Sequence, residues 1–177
     1  MKRTRLSKLR GVVERQAEAI GLVEDAGDYA LVERGTLRAL IMRCPEGCGE
    51  ILTINLDRRA GKAWQLYLGK TGATLYPSVW RDTGCEAHFI MWDDVIQWTD
   101  ERWRPARDER LETHIRGRLT SEFQHFVNFQ DADGSVPWAI LEACRALVRE
   151  GLAEEGVAGQ RSYFRLAQQG RKLPRYA

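Results

Sequence analysis

Two short segments hold the residue types best suited to chemistry. Arg43-Cys44-Pro45-Glu46-Gly47-Cys48-Gly49-Glu50 sets two cysteines in a Gly/Pro-rich turn as C-x3-C, and Thr83-Gly84-Cys85-Glu86-Ala87-His88 carries C-x2-H into an extended run. Each pair is near enough in sequence to grip one ion from a tight turn. The glycines let backbone N–H groups swing toward thiolate sulfur, which bulkier residues would hinder. Three sulfurs and one nitrogen suit tetrahedral Zn2+, so Cys44, Cys48, Cys85 and His88 are the predicted metal ligands. Glu50 lies two residues past Cys48, and on an extended strand its side chain returns to the same face. A carboxylate beside a metal can act as general base toward bound water, which makes Glu50 the candidate catalytic residue. Its other reading is a carboxylate that supports the ligands or simply faces solvent. The order C-x-E … C-x2-H also echoes zinc deaminases, although those mount their ligands at helix starts and these lie on strands. Cys144, among Leu141, Leu147 and Val148, reads as core, and His114 and His125 as surface positions.

The segments that must carry these residues change character near residue 100. Before it, short β-rich runs at 37–42, 51–56, 63–68, 74–76, 88–92 and 95–98 are cut by Gly, Asp and Pro. A polar loop is predicted at 57–62 and a tight turn at Asp93-Asp94. The expected unit is a small antiparallel β domain over 29–100, with a core thin enough to need a metal staple. Residues 1–28 form a basic N-terminal segment, with a short helix predicted over 8–20. After a charged linker containing Pro105, apolar residues Leu111, Ile115, Leu119, Phe123, Phe126 and Val127 recur at helical spacing, which predicts one amphipathic helix within 107–129. A turn at 131–134 follows, then a helix capped by Ser135 with Pro137 in its first turn and Gly151 beyond its end. Residues 152–157 and 162–166 read as a β-hairpin turning at Ala158-Gly159. The fold class is therefore α+β: a zinc-bound antiparallel β domain and a helical and hairpin module over 107–173.

Composition narrows the function. The chain has 177 residues, 44% hydrophobic and 29% charged, which fits globular domains better than a disordered chain. No apolar run reaches the roughly 18–20 residues that span a bilayer, and the basic N-terminus lacks the apolar core of a secretory signal. A cytoplasmic protein without membrane contact is expected, and reduced thiols there point to metal or catalysis before disulfides. The net charge of +2 does not mark a dedicated nucleic-acid binder, although both ends are basic.

The stretch from Tyr29 to Trp98, with Cys44-Pro-x-Gly-Cys48-Gly-Glu50, Leu75-Tyr76-Pro77-Ser78-Val79 and Cys85-x-x-His88-Phe89-Ile90, resembles a bacterial domain-of-unknown-function family. That family is marked by a Cys-Gly-Cys-Gly-Glu turn, a Leu-x-Pro-Ser-Ile/Val segment and a Cys-x-x-His-Phe/Tyr-x-Ile strand. It is often encoded beside bacterial ubiquitin-like conjugation genes, and its members have been proposed as zinc peptidases that remove the modifier. The resemblance implies Cys44, Cys48, Cys85 and His88 as ligands, Glu50 as catalytic candidate, and Ser78 on the Pro-Ser position with its role open. Glu46 stands where many relatives carry a further cysteine.

The end of the chain is similar to winged-helix domains, with a helix running into Gly151-Leu152, a hairpin, and aromatics on the last strand. That likeness implies Arg145, Arg149, Arg161 and Arg165 as possible nucleic-acid or partner contacts. The expected function is a zinc-dependent peptidase or deconjugating enzyme acting on a ubiquitin-like protein or its conjugates. The alternative is a non-enzymatic, zinc-stabilised adaptor whose second module binds nucleic acid or protein.

Overall fold

The structure, a computed structural model, describes residues 3–100, 107–130, 136–157 and 159–168. The chain divides into two compact units, Met1–Trp103 and Arg104–Ala177. Both are mixed α and β, and the first is mostly sheet.

The first unit opens with β1 (Lys8–Val13), α1 (Gln16–Leu22), β2 (Asp28–Glu33), β3 (Leu37–Arg43) and β4 (Ile51–Asn55). These four strands form one sheet in that order. The helix expected over 8–20 is a strand followed by a shorter helix, because Gly11-Val12-Val13 combines the weakest ordinary helix former with two β-branched residues. The unit is also not wholly antiparallel: β1 runs parallel to β2, with α1 as the crossover. Ala19 of α1 and Val23, just past its end, pack against Ala30, Val32 and Ile41. The apolar run Tyr29-Ala30-Leu31-Val32 is buried throughout, as a strand covered on both faces must be.

The rest of the unit is built from two smaller sheets. One pairs β5 (Gln65–Leu68) with β6 (Ala73–Tyr76), and the other orders β7 (Val79–Trp80), β8 (His88–Trp92) and β9 (Val95–Trp98). Residues 93 and 94 form the expected turn between β8 and β9, both at positive φ. Asp94 ties this turn down, its Oδ1 accepting from the Tyr29 hydroxyl at 2.8 Å and the Ala73 N–H at 3.1 Å. Gly72 passes so close that a Cβ there would lie 2.5 Å from the Asp93 carbonyl carbon, so only glycine fits without a shift of backbone. One core joins the sheets through Leu40, Met42, Leu75, Val79, Phe89, Met91, Ile96 and Trp98, with Phe89 edge-on to Trp98 at 5.8 Å.

The second unit contains α2 (Glu109–Arg118), β10 (Gln124–His125), a 3-10 turn (Phe126–Phe129), α3 (Pro137–Arg149), β11 (Ala153–Glu155) and β12 (Tyr163–Leu166). Its antiparallel sheet is ordered β10-β12-β11. The single helix expected within 107–129 stops at Arg118. Leu119 turns extended (ψ 136°), and the Arg118 guanidinium then donates to the carbonyls of Asn128 and Phe129 at 2.9 Å. The apolar spacing beyond 118 therefore serves a strand and a 3-10 turn, whose Phe126 and Phe129 enter the core. Asp108 caps α2 by accepting from the N–H groups of Arg110 and Leu111. Pro137 opens α3 and Gly151, at φ 74°, follows its end. The turn at 131–134, Ser135 and Ala158 lie outside the described residues, as does most of the basic C-terminal tail.

Candidate active site and sulfur cluster

Three of the predicted ligands converge. The sulfurs of Cys44, Cys48 and Cys85 all lie within 4.8 Å of one another, with Cys44 and Cys85 at 3.6 Å. Cys44 follows β3 directly, and its N–H donates to the Glu50 carbonyl at 2.8 Å, which closes the turn that carries Cys48. Gly47 and Gly49 both sit at φ 85°, the left-handed conformation that this tight return requires. The fold of the turn aims the Glu46 N–H at the Cys44 sulfur and the Glu50 N–H at the Cys48 sulfur. Arg81 adds a cation, its Nη1 lying 3.4 Å from Cys48 Sγ and 3.3 Å from Cys85 Sγ.

These surroundings treat the thiols differently. Burial pushes Cys44 up to about 12, with hydrogen bonds and charge from its neighbouring cysteines adding to the effect against the Glu46 N–H. Burial acts upward on Cys48 too, but the Glu50 N–H, the other two thiols and Arg81 outweigh it and hold Cys48 below the ordinary thiol range. Soft sulfur donors on a turn of inward N–H groups fit a thiophilic dication such as Zn2+, which would displace the remaining thiol protons.

His88 is not brought to this cluster. Cys85 lies in the loop between β7 and β8, whereas His88 is the first residue of β8, where the pleat sets its direction. Its Nε2 stands 3.1 Å from Ser78 Oγ. The register explains the meeting. Val79 pairs with Phe89 and Trp80 with His88, so the buried Val79 and Phe89 face the core. Side chains alternate along a strand, and Ser78, Trp80 and His88 therefore share the opposite face. Ser78 is the diagonal neighbour of His88 across the pair, within reach of a hydroxyl–imidazole hydrogen bond. The hairpin is closed beyond them by the Arg81 N–H to the Ala87 carbonyl at 2.9 Å. Behind Ser78, the Trp64 indole N–H donates to the Ser78 carbonyl at 3.2 Å, and a cis Tyr76–Pro77 bond precedes it. Behind His88, the N–H and hydroxyl of Thr99 both donate to the His88 carbonyl at 3.2 Å. A hydroxyl and an imidazole at this distance, each on a fixed backbone, have the geometry of an activated nucleophile and its base.

The other predicted residues lie elsewhere. Glu50 is solvent-exposed, and it is its main chain that engages the cysteine turn. Cys144 is buried in the second unit, which pushes its thiol up to about 12. His114 is exposed as expected. His125 is half-buried between the rings of Phe126 and Tyr163, at 4.7 and 4.9 Å, and burial lowers its pKa. Arg145 pairs with Glu142 at 3.2 Å and Glu155 at 3.8 Å, and Arg165 with Glu154 at 2.6 Å while stacking over Phe123. Arg149 and Arg161 are exposed. Among the described residues no helix is long and apolar enough to cross a membrane.

Residues 15–99 match the model of a family described as bacterial ubiquitination-like system serine protease (BubE). The matched stretch runs from α1 through β9 and contains the three clustered cysteines, Ser78 and His88. It supports a bacterial, ubiquitination-associated family, described as proteases of the serine class. No curated protein and no solved structure matches the chain.

Proposed function

We propose that this protein is a serine peptidase of a bacterial ubiquitination-like system, with Ser78 as nucleophile and His88 as general base. The observation that carries the reading is the 3.1 Å approach of Ser78 Oγ to His88 Nε2, within a stretch that matches a family described as serine proteases. With the ring hydrogen on Nδ1, Nε2 accepts the hydroxyl proton as Oγ bonds to the scissile carbonyl carbon. The imidazolium then gives that proton to the departing amine as the C–N bond breaks, leaving an acyl group on Ser78. Water deprotonated by the same nitrogen releases the acid and restores the hydroxyl. The substrate class is a peptide or isopeptide bond of a ubiquitin-like protein or its conjugates.

In this reading the metal expected from the sequence serves the fold. Cys44, Cys48 and Cys85 would hold it, and a bound Zn2+ would crosslink the β3–β4 turn to the β7–β8 loop. Arg81 and Cys85 lie in the segment between Ser78 and His88, so fixing them fixes the spacing of the dyad. The metal-water alternative needs a carboxylate at the ion, and Glu50 offers an exposed one. Two measurements separate the readings. A fluorophosphonate should label Ser78 covalently, as shown by peptide mass spectrometry, and Glu50→Gln should keep cleavage of a ubiquitin-like precursor within about twofold. Absent labelling together with a dead Glu50→Gln would restore the metal-water mechanism.

For the second unit we propose a winged-helix-like module that docks a protein partner. The order helix, strand, 3-10 turn, helix, hairpin, with β10-β12-β11 in the sheet, supports the architecture. The pairing of Arg145 and Arg165 with carboxylates leaves less charge for phosphate. Binding to generic duplex DNA should be weak at low salt; tight binding that falls steeply with added salt would favour the nucleic-acid role instead.

A further inference from the structure

The face that carries Ser78 and His88 also carries an indole with no structural use for most of its surface. Trp80 is 67% exposed, whereas Trp98, on the inner face of the same sheet, is 2% exposed. Tryptophan is on average a highly buried residue, and leaving an indole open forgoes the largest apolar contact a side chain can make. Trp80 lies directly opposite His88 in the β7–β8 pair, with ring centroids 6.0 Å apart and planes tilted by 37°. It thus touches the proposed base on one side and presents its remaining face beside the nucleophile.

We infer that Trp80 is a substrate-recognition residue that takes an apolar side chain of the polypeptide being cleaved, an inference that rests on Ser78 and His88 being the catalytic pair. Ser78 and Trp80 are two residues apart on one extended segment, about 6.6–6.8 Å along it. A substrate in the extended conformation has the same repeat. With its scissile carbonyl at Ser78 Oγ, a side chain two residues away on the same face meets the indole. The ligand class is therefore an extended polypeptide with an aliphatic residue two residues before the one whose carbonyl is cut, which would lie against the exposed indole of Trp80.

The test uses two peptidyl phosphonates that differ only in carrying leucine or glycine two residues before the phosphonate, and reads the second-order rate of Ser78 labelling in the full chain. The native protein should prefer the leucine probe by about tenfold or more. Trp80→Ala should bring the leucine-to-glycine ratio close to one, and Trp80→Phe should keep most of it. A preference that survives Trp80→Ala overturns the assignment while leaving the dyad standing. Failure of both probes to label native Ser78 removes the indole assignment and the dyad together.

Discussion

Replacing Ser78 by alanine is expected to lower kcat/KM for a ubiquitin-like precursor by about 10³-fold or more, with the fold intact. The substitution removes one hydroxyl from a half-buried position. The Ser78 carbonyl still accepts from Trp64, so the strand keeps its anchor, and the lost hydrogen bond to His88 costs only about 1 kcal/mol of stability. Catalysis loses far more, because without Oγ there is no covalent intermediate and His88 has no proton to take. Removing the base alone should cost nearly as much. Residues that act as a unit are grossly non-additive, so Ser78→Ala/His88→Ala should be about as slow as either single variant. Steady-state assays of the three proteins, with unfolding curves to confirm equal stability, check this. A Ser78→Ala protein retaining more than a tenth of native activity would end the serine-peptidase reading.

How this site was concealed in the sequence is a matter of register. The C-x3-C turn was legible, because Gly47 between the cysteines and Gly49 just after them leave few other uses for such a turn, and the convergence with Cys85 followed from the short strands between. The strands β8 and β9 were legible to the residue, their alternation bracketed by His88 and Trp98 and broken only at Asp93-Asp94. The approach of Ser78 to His88 was not, since β7 is two residues long and has no periodicity of its own. Without β7 nothing sets Ser78 diagonally beside His88, and a histidine three residues after a cysteine has the spacing of a ligand. Similarly, Tyr29-Ala30-Leu31-Val32 carries no alternation because both its faces are covered, so no period marks β2 in the sequence. The helix predicted through Val127 failed for a different reason. Apolar spacing of three and four fits a helix followed by a strand and a 3-10 turn as well as one long helix, and only the tertiary contacts of Phe126 and Phe129 decide between them.

The second large effect is expected at the sulfur cluster, and its form distinguishes a metal that holds the fold from one that acts on substrate. Cys85→Ser should abolish stoichiometric zinc binding, measured by elemental analysis, and destabilise the first unit by about 3 kcal/mol or more. Structural zinc in small zinc-folded peptides contributes roughly 10–16 kcal/mol at pH 7, whereas whole domains are stable by only about 5–15 kcal/mol. This unit has an apolar core of its own, so a partial rather than total loss of folding is the expected outcome. Activity should fall with it, because Cys85 lies in the loop that sets Ser78 against His88, and the loss should track the unfolded fraction. Exchange of the metal supplies the decisive control. Cadmium is thiophilic and satisfies the same sulfurs, so a cadmium-loaded protein should keep kcat within about threefold if the ion only crosslinks the two loops. Were the ion itself to activate water, the change of metal would alter the acidity of that water and shift kcat and its pH profile together. A kcat that follows the identity of the metal, in a protein whose Ser78 remains open to phosphonate, would move the chemistry from the β7–β8 face to the cysteine turn.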